Sequence, residues 1–171
     1  MCGIIAYVGN KPAYPIIING LKRLEYRGYD SAGIALLDNN QLIISKQKGK
    51  VSELENINNS KTYASTTGMG HTRWATHGIP NKINSHPHIS GDKKLAIVHN
   101  GIIENYEVLK TALETKGHEF ESETDTEVLI HLIEEIKKND KVDLLEAVRL
   151  ALNEVIGAYA IVIAEEGNSD E

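Results

Sequence analysis

A chain of 171 residues is long enough for one domain with a buried core and too short for two of ordinary size. Its formal net charge of −6 argues against a nucleic-acid partner, and no apolar run is long enough to cross a membrane. The single cysteine excludes an internal disulfide and suits a reducing compartment, so we expect a cytoplasmic protein without membrane or nucleic-acid partners.

The first half of the chain predicts several strands around one long helix. A short apolar run predicts a buried strand, and two prolines suit the first turn of the helix that follows it. After a polar, glycine-containing loop, two apolar segments flank a turn-forming tetrapeptide, a pattern typical of a β-hairpin. The predicted strands are residues 3–8, 32–37, 42–45 and 68–73, and the predicted helices are residues 13–24 and 51–57.

The second half becomes helical after a long loop and one further strand. Residues 79–93 are rich in prolines, histidines and turn formers, and long loops of this kind are often functional. The next elements are a strand at 95–99 that ends at Asn-Gly, helices at 105–116, 128–138 and 143–155, and a strand at 158–164. Strands and helices without a regular βαβ alternation favour an α+β fold.

The only cysteine lies at position 2, behind one removable residue. If Met1 is cleaved, Cys2 carries both a thiol and an α-amine, whose ordinary pKa is about 7.7–8.0. General bases work best when their pKa lies near the working pH, and a nucleophile activated by its own terminal amine is an established arrangement. A cysteine with only a structural role is the alternative.

Three further clusters contain residues that could complete a binding site. Arg73 offers a planar fork of donors for a carboxylate, and Asp125 could pair with an ammonium group. Asn100 and Gly101 supply a side-chain amide and a backbone N–H, the two donors that an oxyanion hole requires. Together they describe a pocket for a zwitterionic amino acid beside a thiol. The alternatives are a surface ion pair for Arg73, a helix cap for Asp125 and a plain turn at Asn100-Gly101.

The histidines do not form a recognisable metal-binding pattern. His71 and His77 are six residues apart, and His86 and His88 have neither a carboxylate at helix spacing nor a second cysteine beside them. His131 has apolar neighbours in a helix, which predicts a packing role. We therefore expect neither a metal site nor a cofactor.

Six blocks occur together and in order. They are residues 1–4 (MCGI), 23–33 (RLEYRGYDSAG), 71–78 (HTRWATHG), 86–88 (HPH), 98–105 (VHNGIIEN) and 122–127 (SETDTE). In this combination the chain resembles the glutaminase domains of the class II glutamine amidotransferases, and most closely those of the hexosamine-forming (glucosamine-6-phosphate synthase) branch. The resemblance implies an N-terminal-nucleophile hydrolase fold, a four-layer αββα sandwich. It also implies that residues 1–171 form a glutaminase domain that is incomplete at its C-terminus, without the sugar isomerase modules.

The resemblance further implies a role for each cluster. Cys2 would be the nucleophile, and Asn100 and Gly101 would form the oxyanion hole. Arg73 would bind the α-carboxylate of L-glutamine, and Asp125 would bind its α-amine. The remaining implied positions are Trp74, Thr76 and His77 in the substrate pocket and Arg27 and His86 in loops beside the site. Trp74, as the sole tryptophan, is also expected to pack against other side chains.

The implied activity is hydrolysis of L-glutamine to glutamate and ammonia. In a full-length enzyme, expected to be a homo-oligomer, ammonia would pass to an isomerase domain that converts fructose 6-phosphate to glucosamine 6-phosphate. Two alternatives remain at this point. One is another amidotransferase, such as a phosphoribosylamine or asparagine synthetase module, and the other is a chain that keeps the motifs but only binds.

Overall fold

A computed structural model describes residues 2–74 and 78–167. The strands are β1 (Gly3–Val8), β2 (Ser31–Asp38), β3 (Gln41–Lys48), β4 (Thr67–Arg73), β5 (His88–Ile89), β6 (Leu95–Ile103) and β7 (Gly157–Glu165). The helices are α1 (Ala13–Leu24), α2 (Val51–Asn56), α3 (Tyr106–Thr115), α4 (Asp125–Asp140) and α5 (Leu144–Glu154). No helix in these ranges is long and apolar enough to span a bilayer.

The first sheet has the strand order β1-β4-β2-β3, and its neighbouring strands are antiparallel. Gly3 pairs with Thr72, and Ser31 pairs with Arg73 on the other side of β4. The start of β1 and the end of β4 therefore lie side by side at one end of the first sheet. The predicted hairpin is confirmed, since β2 and β3 pair along their whole length.

The second sheet has the order β5-β6-β7 and is also antiparallel. Its central strand continues past the expected end at His99, because Asn100 pairs with Ala160 and Gly101 with Tyr159. The plain-turn interpretation of Asn100-Gly101 is therefore wrong, and both residues lie within a strand. The long loop at 79–93 also contains a short strand, β5, that the sequence did not predict.

Three apolar clusters hold the layers together. Ile17 and Leu21 of α1 pack on Ile34 of the first sheet. Small and medium side chains fill the space between the two sheets, among them Ala35, Met69, Ala96, Val98 and Ala164. The third cluster joins the second sheet to the C-terminal helices through Ile97, Ile103, Leu129, Ile130 and Ala147. Each fully buried Ile or Leu contributes roughly 1.5–3 kcal/mol, and the resulting layers confirm the four-layer αββα sandwich.

Side chains cap the starts of two helices. Thr124 accepts a hydrogen bond from the Glu127 backbone N–H at the start of α4, and Asp143 does the same for Glu146 at the start of α5. The Glu127 side chain accepts from Glu121 and Ser122 backbone N–H groups, so it fixes the segment before the helix. These bonds connect the first turn of α4 to the segment that precedes the helix.

Candidate active site

A cavity of about 450 Å³ opens beside the ends of β1, β4 and β6 and the first turn of α4. Every predicted site residue within the described ranges lines it; these are Cys2, Arg27, Arg73, Trp74, His86, Asn100, Gly101 and Asp125. The expected pocket residues Thr76 and His77 lie outside the described residues. Further lining comes from His99, Ile102, Thr124 and Thr126.

The sulfur of Cys2 is held at the end of β4. The Trp74 backbone N–H donates a hydrogen bond to Cys2 Sγ with a donor–acceptor distance of 3.2 Å. The arrangement follows from the β1–β4 register, which sets Gly3 opposite Thr72 and leaves Cys2 beside the residues that follow β4. A nucleophile positioned by the end of a central strand is more rigidly held than one in a loop.

Asn100 reaches the same residue from the other sheet. Its Nδ2 donates to the backbone carbonyl of Cys2 at 3.3 Å, and its Oδ1 lies 2.8 Å from His71 Nε2. Because Nε2 also lies 3.1 Å from the carbonyl oxygen of His99, it contacts two acceptors and carries the hydrogen. Complete burial lowers the pKa of His71 to about 4, so the ring stays neutral. His71 therefore directs the amino group of Asn100 towards Cys2.

Gly101 follows Asn100 along the cavity wall in a conformation that only glycine adopts readily. Its φ is +134°, and a Cβ at this position would lie 2.1 Å from the carbonyl oxygen of Ala158 in β7. The strand pairing and the cavity wall therefore both require a residue without a side chain at position 101. This explains why Asn-Gly, a common turn dipeptide, occurs here inside a paired strand.

Arg73 and Asp125 bring opposite charges into one cavity. Arg73 is only 4% exposed, so the surface ion-pair interpretation is wrong. Its burial lowers the guanidinium pKa, while the Coulombic influence of Cys2, Asp30 and Asp125 opposes that shift. Asp125 accepts from the Ile103 backbone N–H at 2.8 Å, and the cap of α4 is its neighbour Thr124. Asp125 is therefore a cavity residue fixed by β6, and the helix-cap interpretation is wrong.

The loop between α1 and β2 closes one side of the cavity. The Asp30 backbone N–H donates to the carbonyl oxygen of Arg73 at 3.1 Å, and Arg27 lines the cavity. Tyr29 contacts Trp74 edge to face with ring centroids 5.8 Å apart. Trp74 is nonetheless 46% exposed, so the expected packing of the sole tryptophan is limited to this partly solvated contact.

Four neutral histidines lie together beside the cavity, and two of them, His86 and His99, line it. His86 stacks on His71 with ring centroids 4.2 Å apart, and its Nδ1 accepts from the His99 backbone N–H at 3.2 Å. Burial is the main cause that lowers the pKa of His86, His88 and His99. Sequence reasoning assigned no role to His71 or His99. The available signal was spacing, since His71 lies two residues from Arg73 and therefore on the same face of β4.

The chain is similar in sequence to proteins of known family. Residues 58–169 match the glutamine amidotransferase domain family. The chain is 62% identical to a glutamine–fructose-6-phosphate aminotransferase (isomerizing) of Bacteroides thetaiotaomicron, covering all of the chain and 28% of that enzyme. It is 52% identical to the enzyme of the same name from Thermus thermophilus, again over 28% of the relative. The chain thus spans less than a third of the length of these relatives.

A solved structure of another glutamine amidotransferase has a similar fold. The glutamine phosphoribosylpyrophosphate amidotransferase of B. subtilis superposes with a TM-score of 0.83 and 33% identity, covering 97% of this chain and 35% of that one. The four-layer sandwich with a cysteine at the start of β1 is an N-terminal-nucleophile hydrolase fold. Within that class the chain belongs to the glutamine amidotransferase domain family.

Proposed function

We propose that this chain hydrolyses L-glutamine to glutamate and ammonia, with Cys2 as the nucleophile. The observation that carries the proposal is the set of groups around one cavity: a thiol, an amide that donates to the backbone carbonyl of Cys2, a buried guanidinium and a carboxylate. Arg73 would bind the α-carboxylate and Asp125 the α-amine, which leaves the side-chain amide of the substrate for Cys2. Neither a metal nor a cofactor enters this proposal.

The first half of the reaction forms a thioester. After removal of Met1, the α-amine of Cys2 accepts the thiol proton, and Sγ attacks the side-chain amide carbon of glutamine. Asn100 Nδ2 and the Gly101 N–H donate to the oxyanion that develops on the amide oxygen. When the C–N bond breaks, the protonated α-amine returns its proton to the nitrogen, which leaves as ammonia.

The second half releases glutamate. Water attacks the γ-glutamyl thioester carbon, and the α-amine of Cys2 accepts a proton from that water. The same two donors stabilise the second oxyanion. The C–S bond then breaks, the protonated α-amine returns its proton to Sγ to restore the thiol, and the γ-carboxyl group of glutamate loses its remaining proton to solvent.

We further propose that a longer polypeptide uses this ammonia for a sugar phosphate. The relatives at 62% and 52% identity are named for fructose 6-phosphate, so fructose 6-phosphate is the proposed acceptor and glucosamine 6-phosphate the proposed product. A reducing compartment such as the cytoplasm would keep the thiol of Cys2 active.

The hydrolysis is tested by ammonia release from glutamine with purified protein whose loss of Met1 is verified by intact mass. The expected result is glutamate and ammonia in equal amounts, abolished in Cys2→Ala, which still binds glutamine. A folded, correctly processed protein that releases no ammonia would refute the proposal. The acceptor is tested separately in the longer polypeptide, where formation of phosphoribosylamine in place of glucosamine 6-phosphate would favour the B. subtilis enzyme's chemistry.

A further inference from the structure

A second polar cluster, which we call the α4 histidine cluster, consists of His118, His131 and Glu134. None of the three residues lines the cavity around Cys2. They line a separate cavity of about 400 Å³, bounded by α4, the end of α3 and the turn at residue 91. His131 is buried, and His118 and Glu134 are partly exposed, so the cluster lies at the inner end of a solvent-accessible recess.

The three possible ligand atoms lie within 3.8 Å of one another. His118 Nδ1 lies 3.2 Å from His131 Nδ1, and His131 Nδ1 lies 3.2 Å from Glu134 Oε2. The third separation, from His118 Nδ1 to Glu134 Oε2, is 3.8 Å. Two ligands at zinc–nitrogen distances near 2.0–2.1 Å in a tetrahedron are about 3.3–3.4 Å apart. The cluster therefore has the spacing of three corners of a tetrahedral site.

The surrounding contacts also match those of a metal site. Metal-bound histidines usually direct their other ring nitrogen to a carboxylate or carbonyl. His118 Nε2 lies 3.1 Å from Glu135 Oε2, and His131 Nε2 faces Glu127 Oε1 at 3.8 Å. Both imidazoles thus place Nδ1 within the cluster and Nε2 beside an acidic group.

The carboxylate ligand is equally constrained. The two oxygens of Glu134 accept hydrogen bonds from the backbone N–H groups of Gly91 at 2.9 Å and Asp92 at 2.8 Å. These bonds fix the plane of the carboxylate against the turn that precedes β6. Its orientation is therefore determined by the fold before any ion arrives.

Charge and ligand type select the kind of ion. Glu127, Glu134 and Glu135 surround two imidazoles, and Lys116 offsets part of this negative charge through a 3.2 Å ion pair with Glu135. Two imidazole nitrogens with one carboxylate oxygen suit zinc, whereas magnesium and calcium prefer oxygen ligands alone. We propose that His118, His131 and Glu134 bind one zinc ion, with water from the recess as the fourth ligand.

This site would hold three segments of the chain together. His118 belongs to the segment between α3 and α4, His131 and Glu134 to α4, and Glu134 in turn holds the turn at Gly91. Without an ion, the two facing Nδ1 atoms must share a proton or repel each other. The proposal reverses our expectation of no metal site. The sequence contained one indication of it, because His131 and Glu134 are three residues apart on one helix.

The test is a titration of metal-free, tag-free protein with Zn²⁺, followed by calorimetry. Cys2→Ala is the background, because the terminal thiol and amine of Cys2 would bind zinc independently. We expect one tightly bound ion per chain. His118→Ala and Glu134→Gln should abolish this binding, and Glu135→Gln should weaken it about 10–100-fold.

Glu119→Gln is the matched control, since Glu119 is an exposed carboxylate on the same recess that contacts none of the ligand atoms named above. It removes the same charge as Glu134→Gln and should leave the affinity nearly unchanged. Co²⁺ bound in place of Zn²⁺ should give the intense visible bands of a tetrahedral complex. Absence of a bound ion, or equal affinity in the background and in a folded His118→Ala variant, would overturn the proposal.

Discussion

His71 Nε2 lies 2.8 Å from Oδ1 of Asn100, and this contact joins β4 of the first sheet to β6 of the second. Because His71 is buried and neutral, it acts as a fixed donor, and it determines which end of the Asn100 amide faces Cys2. The donor proposed for the oxyanion is thus oriented by a side chain that does not itself line the cavity. This makes His71 a positioning residue.

We expect His71→Leu to lower kcat for glutamine hydrolysis about 10–100-fold with little change in KM. Losing an oxyanion donor outright costs about 10²–10³ in kcat, and a displaced donor should cost less. Steady-state ammonia release measures both constants. Asn100→Ala should cause the larger loss, and the double variant should resemble Asn100→Ala alone, since both changes act through one amide. Additive losses would show that His71 acts by another route.

The buried histidines predict a loss of stability in mild acid. The folded-state pKa of His71 is about 4 and that of His88 about 3, whereas an unfolded histidine titrates near 6.5. The unfolded chain therefore binds more protons between these values, and the free energy of unfolding falls as the pH is lowered from 6.5 towards 4. His71 alone accounts for about 3 kcal/mol over that range.

Urea unfolding at a series of pH values measures this effect. The charged or titratable groups that lower the pKa of His71 are His99 and Arg73, which remain in the variant His71→Leu. That variant should reduce the pH slope by about one proton, or roughly 1.4 kcal/mol per pH unit. An identical slope in the variant and the parent chain would mean that His71 is not held neutral by burial.

Most of the fold could be predicted because its signals are local. The run at residues 3–8, the hairpin around Asp38 and the caps at Thr124 and Asp143 each depend on a few neighbouring residues. The extension of β6 through Asn100-Gly101 could not be predicted in this way. It depends on pairing with β7, almost sixty residues later, and local turn chemistry gave the opposite answer.

The site, too, was predicted only where its signals lie in the sequence itself. Cys2, Arg73 and Asp125 were predicted from their chemistry and from a family resemblance, and all three line one cavity. The contact between His71 and Asn100 spans two sheets, and no sequence spacing indicates which strands of stacked sheets face each other. The α4 histidine cluster was missed for a similar reason, since His118 precedes the helix that holds its partners.

Gly101→Ala should both destabilise the chain and reduce hydrolysis. At φ +134° a Cβ would lie 2.1 Å from the carbonyl oxygen of Ala158, so the β6–β7 pairing beside Asn100 must shift. Backbone strain alone costs about 1–3 kcal/mol, and the clash adds to it. Thermal unfolding and ammonia release measure the two effects.

Gly117→Ala separates strain from steric clash. Gly117 also has a positive φ, +92°, but a Cβ there meets nothing within 4 Å. This variant should lose about 1 kcal/mol of stability and keep its kcat. Equal activity in the Gly101→Ala and Gly117→Ala variants would show that the cavity wall tolerates a side chain at position 101.

Asp125→Asn should raise KM for glutamine about 10–100-fold, because it removes the charge proposed to pair with the substrate α-amine. A charged hydrogen bond is worth about 1.5–3 kcal/mol, which corresponds to that range. The fold should persist, since the asparagine carbonyl still accepts the hydrogen bond that Asp125 receives from the Ile103 backbone N–H. Glutamine-dependent ammonia release gives KM, and thermal unfolding gives the stability.

Asp143→Ala is the matched control, because Asp143 is also an aspartate at a helix start but lies outside the cavity. Its loss removes the cap of α5, where the side chain accepts from the Glu146 backbone N–H at 2.8 Å, and should cost about 0.5–2 kcal/mol. KM for glutamine should not change. If Asp125→Asn instead lowered stability and left KM unchanged, Asp125 would be a structural anchor of α4 on β6, and the α-amine of glutamine would need another partner.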